Sequence, residues 1–357
     1  MSASTKKKSQ IETNTSVLAQ AMVRRLPRRT FARGQIVWPA VPTLVDHYVK
    51  ALATTFSAVE RTFSEEELAR IREILVDYAN QGFAVSPFSK LVVDYETQPP
   101  PQTGLTWTIS YRIVTIADEY AGWVENRTPP LFGLHADAKV MDLAKSLGGP
   151  KDVPVLDVGA GTGRNTLPLA REGFPVDAVE LAPALARILR QEAATISPDT
   201  RVFEGDALDP ALGIPSRKYK LVVLAEVVAS HFRSTEQLRK LFERAADWLA
   251  PGGCLLFSVF LTTGGYKPDK MAHQLSEVMW CCLFNRNQLD EAAAGLPLTR
   301  VSDESCHDYE HEHLPESSWP PTGWFTDWSR GLDLFDLPSD RAPLELRWIV
   351  YRSDVEG

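Results

Sequence analysis

The sequence predicts an α/β protein built around a doubly wound, mostly parallel β-sheet. Three observations carry this. From Ala136 onward, short apolar runs alternate with helical stretches. Those runs are near-continuous, as strands covered by helices on both faces must be. One of them enters a glycine-rich turn and then a helix (Val155–Asn165), the chain path at which open α/β sheets bind ligands.

The elements follow in order. Residues 1–14 are polar and read as a disordered tail. Val17–Leu26 has helical spacing and stops at Pro27, and Pro42–Phe56 is a second helix with proline in its first turn. Thr62–Gln81 is a third: Ser64 and Glu67 have capping-box spacing, Leu68, Ile71, Leu75 and Tyr78 share a face, and Gly82 reads as its stop. Leu91, Val93 and Tyr95, then Leu105, Trp107, Ile109, Tyr111 and Ile113, alternate with period two and read as a hairpin. Residues 15–135 are thus an α+β region without a legible role. The second domain is 136–357. Its strands are Val153–Val158, Val176–Glu180, Arg201–Glu204, Lys220–Leu224 and Cys254–Leu261, with helices beginning at Asn165, Ala184 and Glu236 between them.

Composition narrows the class. The chain has 357 residues, 44% hydrophobic and 24% charged, the balance of a globular protein. No apolar run is long enough to span a bilayer, and no apolar stretch follows Lys6–Lys8 to make a secretory signal. The expected place is the cytoplasm, with no membrane partner. The four cysteines (254, 281, 282 and 306) show no metal or disulfide spacing. The net charge is -8, which disfavours nucleic acid as a partner, although residues 1–34 carry +7 and leave -15 to the rest. The oligomeric state is not legible.

The chemistry lies in Val155–Asn165. Gly159, Gly161 and Gly163 are spaced G-x-G-x-G, and Arg164 stands where a dinucleotide fingerprint needs its last glycine. Asp157, at the strand end, repels a pyrophosphate but suits a ligand with a cationic amino-acid end. Glu180 ends the next strand, where a carboxylate accepts both hydroxyls of a ribose, and Asp206 follows the third strand.

With V-L-D-V-G-A-G-T-G (155–163), Glu180, E-G-D-A (204–207), L-V-V-L-A-E-V-V-A-S-H-F (221–232) and L-A-P-G-G-C-L-L-F (249–257), the chain resembles the class I S-adenosylmethionine-dependent methyltransferases over roughly 150–260. The resemblance implies a Rossmann-like, seven-stranded sheet. Phe284–Gly295 would be its late helix, Leu298–Ser305 its sixth strand and Leu344–Arg352 its antiparallel seventh. The protein would then carry an N-terminal α+β extension and a long insertion before the last strand. It also implies S-adenosyl-L-methionine as cofactor. Asp157 and the three glycines would face its amino-acid end, Glu180 its ribose, Asp206 and Ala207 its adenine, and Glu226 and Val227 would form a wall. In-line transfer to a small-molecule acceptor is the expected reaction. The alternative is a methyltransferase acting on RNA or protein through the basic N-terminal arm. Lining the acceptor side are His231, the expected catalytic residue, with His135, Tyr266, Trp324 and Trp328 as substrate residues.

Segment 303–340 holds ten acids and one arginine among aromatic side chains. Its histidines (307, 311 and 313) do not have zinc-site spacing, so no metal is expected. Residues 306–340 read as a lid over the acceptor or as a packing element.

Overall fold

The computed structural model describes residues 11–25, 31–59, 61–100, 102, 104–197, 199–338 and 340–355. Most of the expected tail, with Lys6–Lys8, lies outside them, as do Pro27, Arg28 and Arg29. The chain divides into two units at Ile113/Val114, where the sequence reading puts the boundary at 135.

The first unit runs α1 (Thr15–Arg25), β1 (Arg33–Pro39), α2 (Val45–Ser57), α3 (Glu65–Val85), β2 (Lys90–Thr97) and β3 (Leu105–Arg112). Its antiparallel sheet has the order β1-β2-β3, with Ile36 opposite Val93 and Val93 opposite Ile109. Val45, Tyr48, Leu52 and Phe56 of α2 and Ile71, Leu75 and Ala79 of α3 recur every three or four residues and pack on Leu91 and Val93. Each such large apolar side chain contributes about 1.5–3 kcal/mol when fully buried. The Ser64–Glu67 capping box starts α3 as expected. Gly82 does not stop it. It lies within the helix, at a point where a Cβ would come within 3.1 Å of Ser89 Cβ and 3.2 Å of Ala40 Cβ.

The second unit begins with α4 (Ile116–Asn126) and α5 (Ala138–Ser146). Strands and helices then alternate: β4 (Val155–Val158), α6 (Thr166–Arg171), β5 (Val176–Glu180), α7 (Pro183–Ile196), β6 (Arg201–Glu204), β7 (Tyr219–Leu224), α8 (Val227–His231), α9 (Thr235–Trp248) and β8 (Leu249–Thr262). After them come α10 (Lys270–Val278), β9 (Leu283–Phe284), α11 (Arg286–Ala293), β10 (Leu298–Ser305), α12 (Cys306–His313), α13 (Phe325–Trp328) and β11 (Leu344–Ser353). The sheet order is β10-β11-β8-β7-β4-β5-β6. Strands β4 to β8 run parallel, and β11 is antiparallel to both β8 and β10. The sheet has eight strands where seven are expected, because the two-residue β9 also pairs with β8. A two-residue strand is too short to leave a period in the sequence.

Alternate residues of each strand serve opposite faces. Leu156, Val158, Val222, Leu224 and Phe257 pack towards α9 and α11, while Val155, Leu221, Val223 and Leu256 pack towards α5, α6 and α12. Both faces are covered, which is why these strands read as continuous apolar runs. Strand order reverses at β4, whose neighbours are β5 and β7, so the crevice at the carboxyl end of β4 is the switch point of the sheet.

The segment between β10 and β11 is packed into this unit. Cys306, Phe325 and Trp328 are core residues. Buried Glu310 accepts the backbone N–H groups of Ala138 and Lys139, at the start of α5, and the Trp348 indole N–H. No helix among the described residues is long and apolar enough to cross a membrane.

Candidate active site

A cavity of about 600 Å³ opens at the carboxyl ends of β4, β5 and β7. Its floor is the turn after β4. Gly159 has φ 71° and Gly161 φ 59°, the left-handed region that glycine enters without a steric cost. A Cβ on Gly159 would sit 2.3 Å from Val227 Cγ2, and one on Gly161 would sit 3.2 Å from the Phe132 ring. Both glycines line the cavity; Gly163 does not. A Cβ on Gly163 would meet Leu167 and Leu189 at 2.7 Å, so this third glycine serves helix packing behind the turn.

The carboxylates converge as the strand ends suggest: Asp157, Glu180, Asp206 and Glu226 all line the cavity, with Ala207 and Val227 beside them. Glu180 is buried; one carboxylate oxygen accepts the Gly161 N–H at 2.8 Å and the other the Ala182 N–H at 2.7 Å. Each oxygen keeps a further lone pair. Burial raises the Glu180 pKa, offset in part by those two backbone donors. Asp157 is buried and accepts the Thr166 hydroxyl at 2.6 Å. Burial pushes its carboxyl up to about 6. Asp206 caps its own loop, accepting the Leu208 N–H at 2.9 Å.

Arg164 has more to do than its place in the glycine pattern indicates. Its guanidinium is buried between Asp137, at 2.6 Å, and Glu226, at 2.8 Å. Glu226 itself stands at φ 63°, its N–H donating to Ser258 Oγ at 2.7 Å. The Asp137–Arg164–Glu226 chain was not legible in the sequence, because Asp137 lies 27 residues before Arg164 and joins it only through the fold.

The opposite wall is aromatic. The rings of Tyr120, in α4, and Trp280 pack against His231, the last residue of α8; Trp123 of α4 and Phe132 pack against Tyr120, and all five line the cavity. Tyr120 lies at ring distances of 5.2 Å from Trp123, 5.9 Å from Phe132, 5.8 Å from His231 and 5.7 Å from Trp280. The Tyr120 hydroxyl and His231 Nε2 are 2.9 Å apart. His231 Nδ1 is buried with no hydrogen-bond partner among the described residues. Such a group costs about 1–3 kcal/mol. Burial among rings pushes the imidazole down to about 4, so it is neutral at physiological pH. Trp280 sits at φ 59°, a conformation that costs a bulky residue about 1–3 kcal/mol. The carbonyl of Trp280 accepts the Trp328 indole N–H at 3.2 Å.

Trp324 and Trp328 line the cavity, Trp328 buried and Trp324 exposed. His135 is exposed and does not line it. Tyr266 packs on Phe335, with ring centroids 6.0 Å apart, and also stands outside the lining. The residues missed on this side had one local signal: Thr115 and Asp118 form a capping box that starts α4, the helix carrying Tyr120 and Trp123. His307, His311 and Trp319 form a ring cluster, and His313 stacks on Tyr309. Among the described residues, no group of three or more His, Cys, Asp or Glu side chains is arranged to hold a metal ion.

Residues 155–253 match the family model described as a methyltransferase domain. A demethylmenaquinone methyltransferase of Tropheryma whipplei (strain Twist) is 30% identical over 117 residues, 32% of this chain and 45% of that relative. A probable ribosomal RNA small subunit methyltransferase A of Pyrobaculum islandicum is 38% identical over 60 residues, 17% of this chain and 24% of that relative. The chain thus spans less than half the length of these curated relatives. A solved structure of a geranyl diphosphate methyltransferase, in complex with GPP and sinefungin, is similar at a TM-score of 0.50 and 15% identity, covering 67% of this chain and 99% of that one. That likeness is one of fold.

Proposed function

We propose, from the match of residues 155–253 to a methyltransferase domain, that the chain transfers the methyl group of S-adenosyl-L-methionine to a small-molecule acceptor held in the aromatic half of the cavity. The observation that carries the reading is Glu180. Its two oxygens each hold one backbone N–H of the turn region and keep a lone pair for one hydroxyl of a ribose diol. The cavity, at about 600 Å³, falls within the usual range of small-ligand sites.

The other residues divide by chemistry. Asp157 and Glu226 suit the ammonium of the amino-acid end, and Arg164, with donors beyond the two it uses, suits its carboxylate. Gly159 and Gly161 form the cavity floor beside that end, with Val227 and Phe132 packed where their side chains would be. Asp206 and Ala207 take the adenine, and Val227 packs beside them. When bound, the sulfonium supplies an electrophilic methyl group. The protein's own part is to align the acceptor with it and exclude water, and alignment of this kind contributes up to about 7–11 kcal/mol. The aromatic lining of a cavity of about 600 Å³ supports a small acceptor over an RNA base or a protein side chain. Four buried free thiols are consistent with a reducing, cytoplasmic setting.

The test is to incubate the full chain with methyl-labelled S-adenosylmethionine and separate pools of small hydroxyl, amine, carboxylate and thiol compounds, bulk RNA and a protein extract. Label is expected in a small-molecule pool. Label in RNA or protein alone would overturn the small-acceptor reading.

A further inference from the structure

The aromatic wall holds a polar pair, Tyr120–His231, that holding the cofactor does not explain. We propose that the acceptor is a neutral phenol-type molecule, its ring held among Trp123, Phe132 and Trp280 and its hydroxyl set against Tyr120, whose own proton passes to His231. This rests on the methyl-transfer reading above.

The class follows from what surrounds the pair. Aromatic side chains on several sides favour a flat, apolar body. Such rings also attract cations, but here a cation is already in place. The Arg127 guanidinium lies 3.6 Å from the centroid of the Trp123 ring and lines the same cavity. Its fixed charge disfavours an ammonium acceptor. Asp333, also in the lining, is exposed, so solvent screens its charge. A neutral hydroxyl nucleophile then needs a path for its proton. Tyr120 stays protonated, its pKa raised by burial and by the charges of Glu180 and Glu226. With its O–H 2.9 Å from a neutral imidazole nitrogen, it is a donor that can be replenished from the acceptor side.

The step balances. The phenol oxygen forms a bond to the methyl carbon as the carbon–sulfur bond of the donor breaks, leaving a neutral thioether. The phenol proton moves to the Tyr120 oxygen, and the Tyr120 proton moves to His231 Nε2, giving an imidazolium that later releases it to solvent. Tyr120 touches the nucleophile and is the catalytic residue; His231 acts through it as a positioning and proton-holding residue.

The experiment uses two acceptors at one pH near neutrality: an alkylphenol with an ordinary pKa of about 10, and a nitrophenol with two nitro groups, which is already ionised there. S-adenosylmethionine affinity is measured for every protein first. Both phenols should be methylated by the wild type. His231→Ala and Tyr120→Phe should each lose at least 100-fold in kcat with the alkylphenol but less than 10-fold with the nitrophenol, while cofactor affinity stays within two-fold. Equal losses with the two acceptors would overturn the proton path. No transfer to either phenol by a wild type that binds the cofactor would overturn the acceptor class and leave the methyl-transfer reading standing. Failure of the wild type to bind the cofactor would bring down both. His231→Gln serves where the alanine variant does not fold, with the same split between acceptors expected.

Discussion

The two walls of the cavity are built by different rules. The wall at the ends of β4, β5 and β6 is made by consecutive short loops of one sheet, so Asp157, Glu180 and Asp206 fall at strand ends that can be counted along the chain. The opposite wall is assembled from α4, the loop holding Phe132, the end of α8 and the turn at Trp280, pieces separated by up to 160 residues. The first wall is governed by backbone geometry and charge. Side-chain packing shapes the second, where even a strained residue such as Trp280 is kept. Conserving a ligand common to many enzymes needs only the first arrangement; choosing an acceptor needs the second.

The largest expected effect is on the backbone-built wall. Gly159→Ala puts a Cβ 2.3 Å from Val227 Cγ2 at φ 71°. The left-handed conformation and the overlap together should cost about 2–5 kcal/mol. In thermal denaturation this appears as a melting temperature lower by roughly 4–15 °C. A variant that melts with the wild type would show that the turn is not under this constraint.

Next is Asp157→Asn, which should do the opposite. A carboxyl held near 6 rather than at its ordinary 3.8 favours folding when protonated. That contribution is complete below pH 4 and is lost as pH rises through about 6. At pH 7 the neutral amide should therefore stabilise the ligand-free protein by about 2–3 kcal/mol, while weakening S-adenosylmethionine binding. Urea denaturation at pH 7 and at pH 4 checks the sign: the gain should shrink at the lower pH.

Glu180→Gln follows. The amide keeps one acceptor but loses the charge, so cofactor affinity should fall by about 1.5–3 kcal/mol, the scale of a hydrogen bond to a charged group, with the fold retained. Unchanged affinity in calorimetric titration would remove Glu180 from the ribose role. The smallest effects belong to residues that sequence position suggested and the fold moved away. His135→Ala and Tyr266→Phe stand outside the cavity lining; each should alter kcat/KM by less than two-fold.

That last pair illustrates what a sequence can and cannot specify here. The β4 to β8 strands, the order of the helices between them and the acids at the strand ends were legible, because periodicity and glycine spacing act over a few residues. The unit boundary was less so. α4 was hidden between a hairpin and Pro129-Pro130, although its Thr115–Asp118 box was present, and with it went Tyr120 and Trp123. Gly163 was grouped with the two cavity glycines because spacing alone cannot tell a ligand's approach from that of Leu167 and Leu189. Glu310, read as one acid of a charged loop, is buried and caps the start of α5. Partnerships across 170 residues leave no local trace.

If the glycine turn and Glu180 hold S-adenosylmethionine, the full chain must bind it and lose affinity when Glu180 changes. Titration calorimetry of the full chain with S-adenosylmethionine, S-adenosylhomocysteine and NAD tests it directly. One site per chain for each of the two sulfur nucleosides, weakened in Glu180→Gln, with no heat from NAD, is the predicted result. Binding of NAD with no response to either sulfur nucleoside would contradict it.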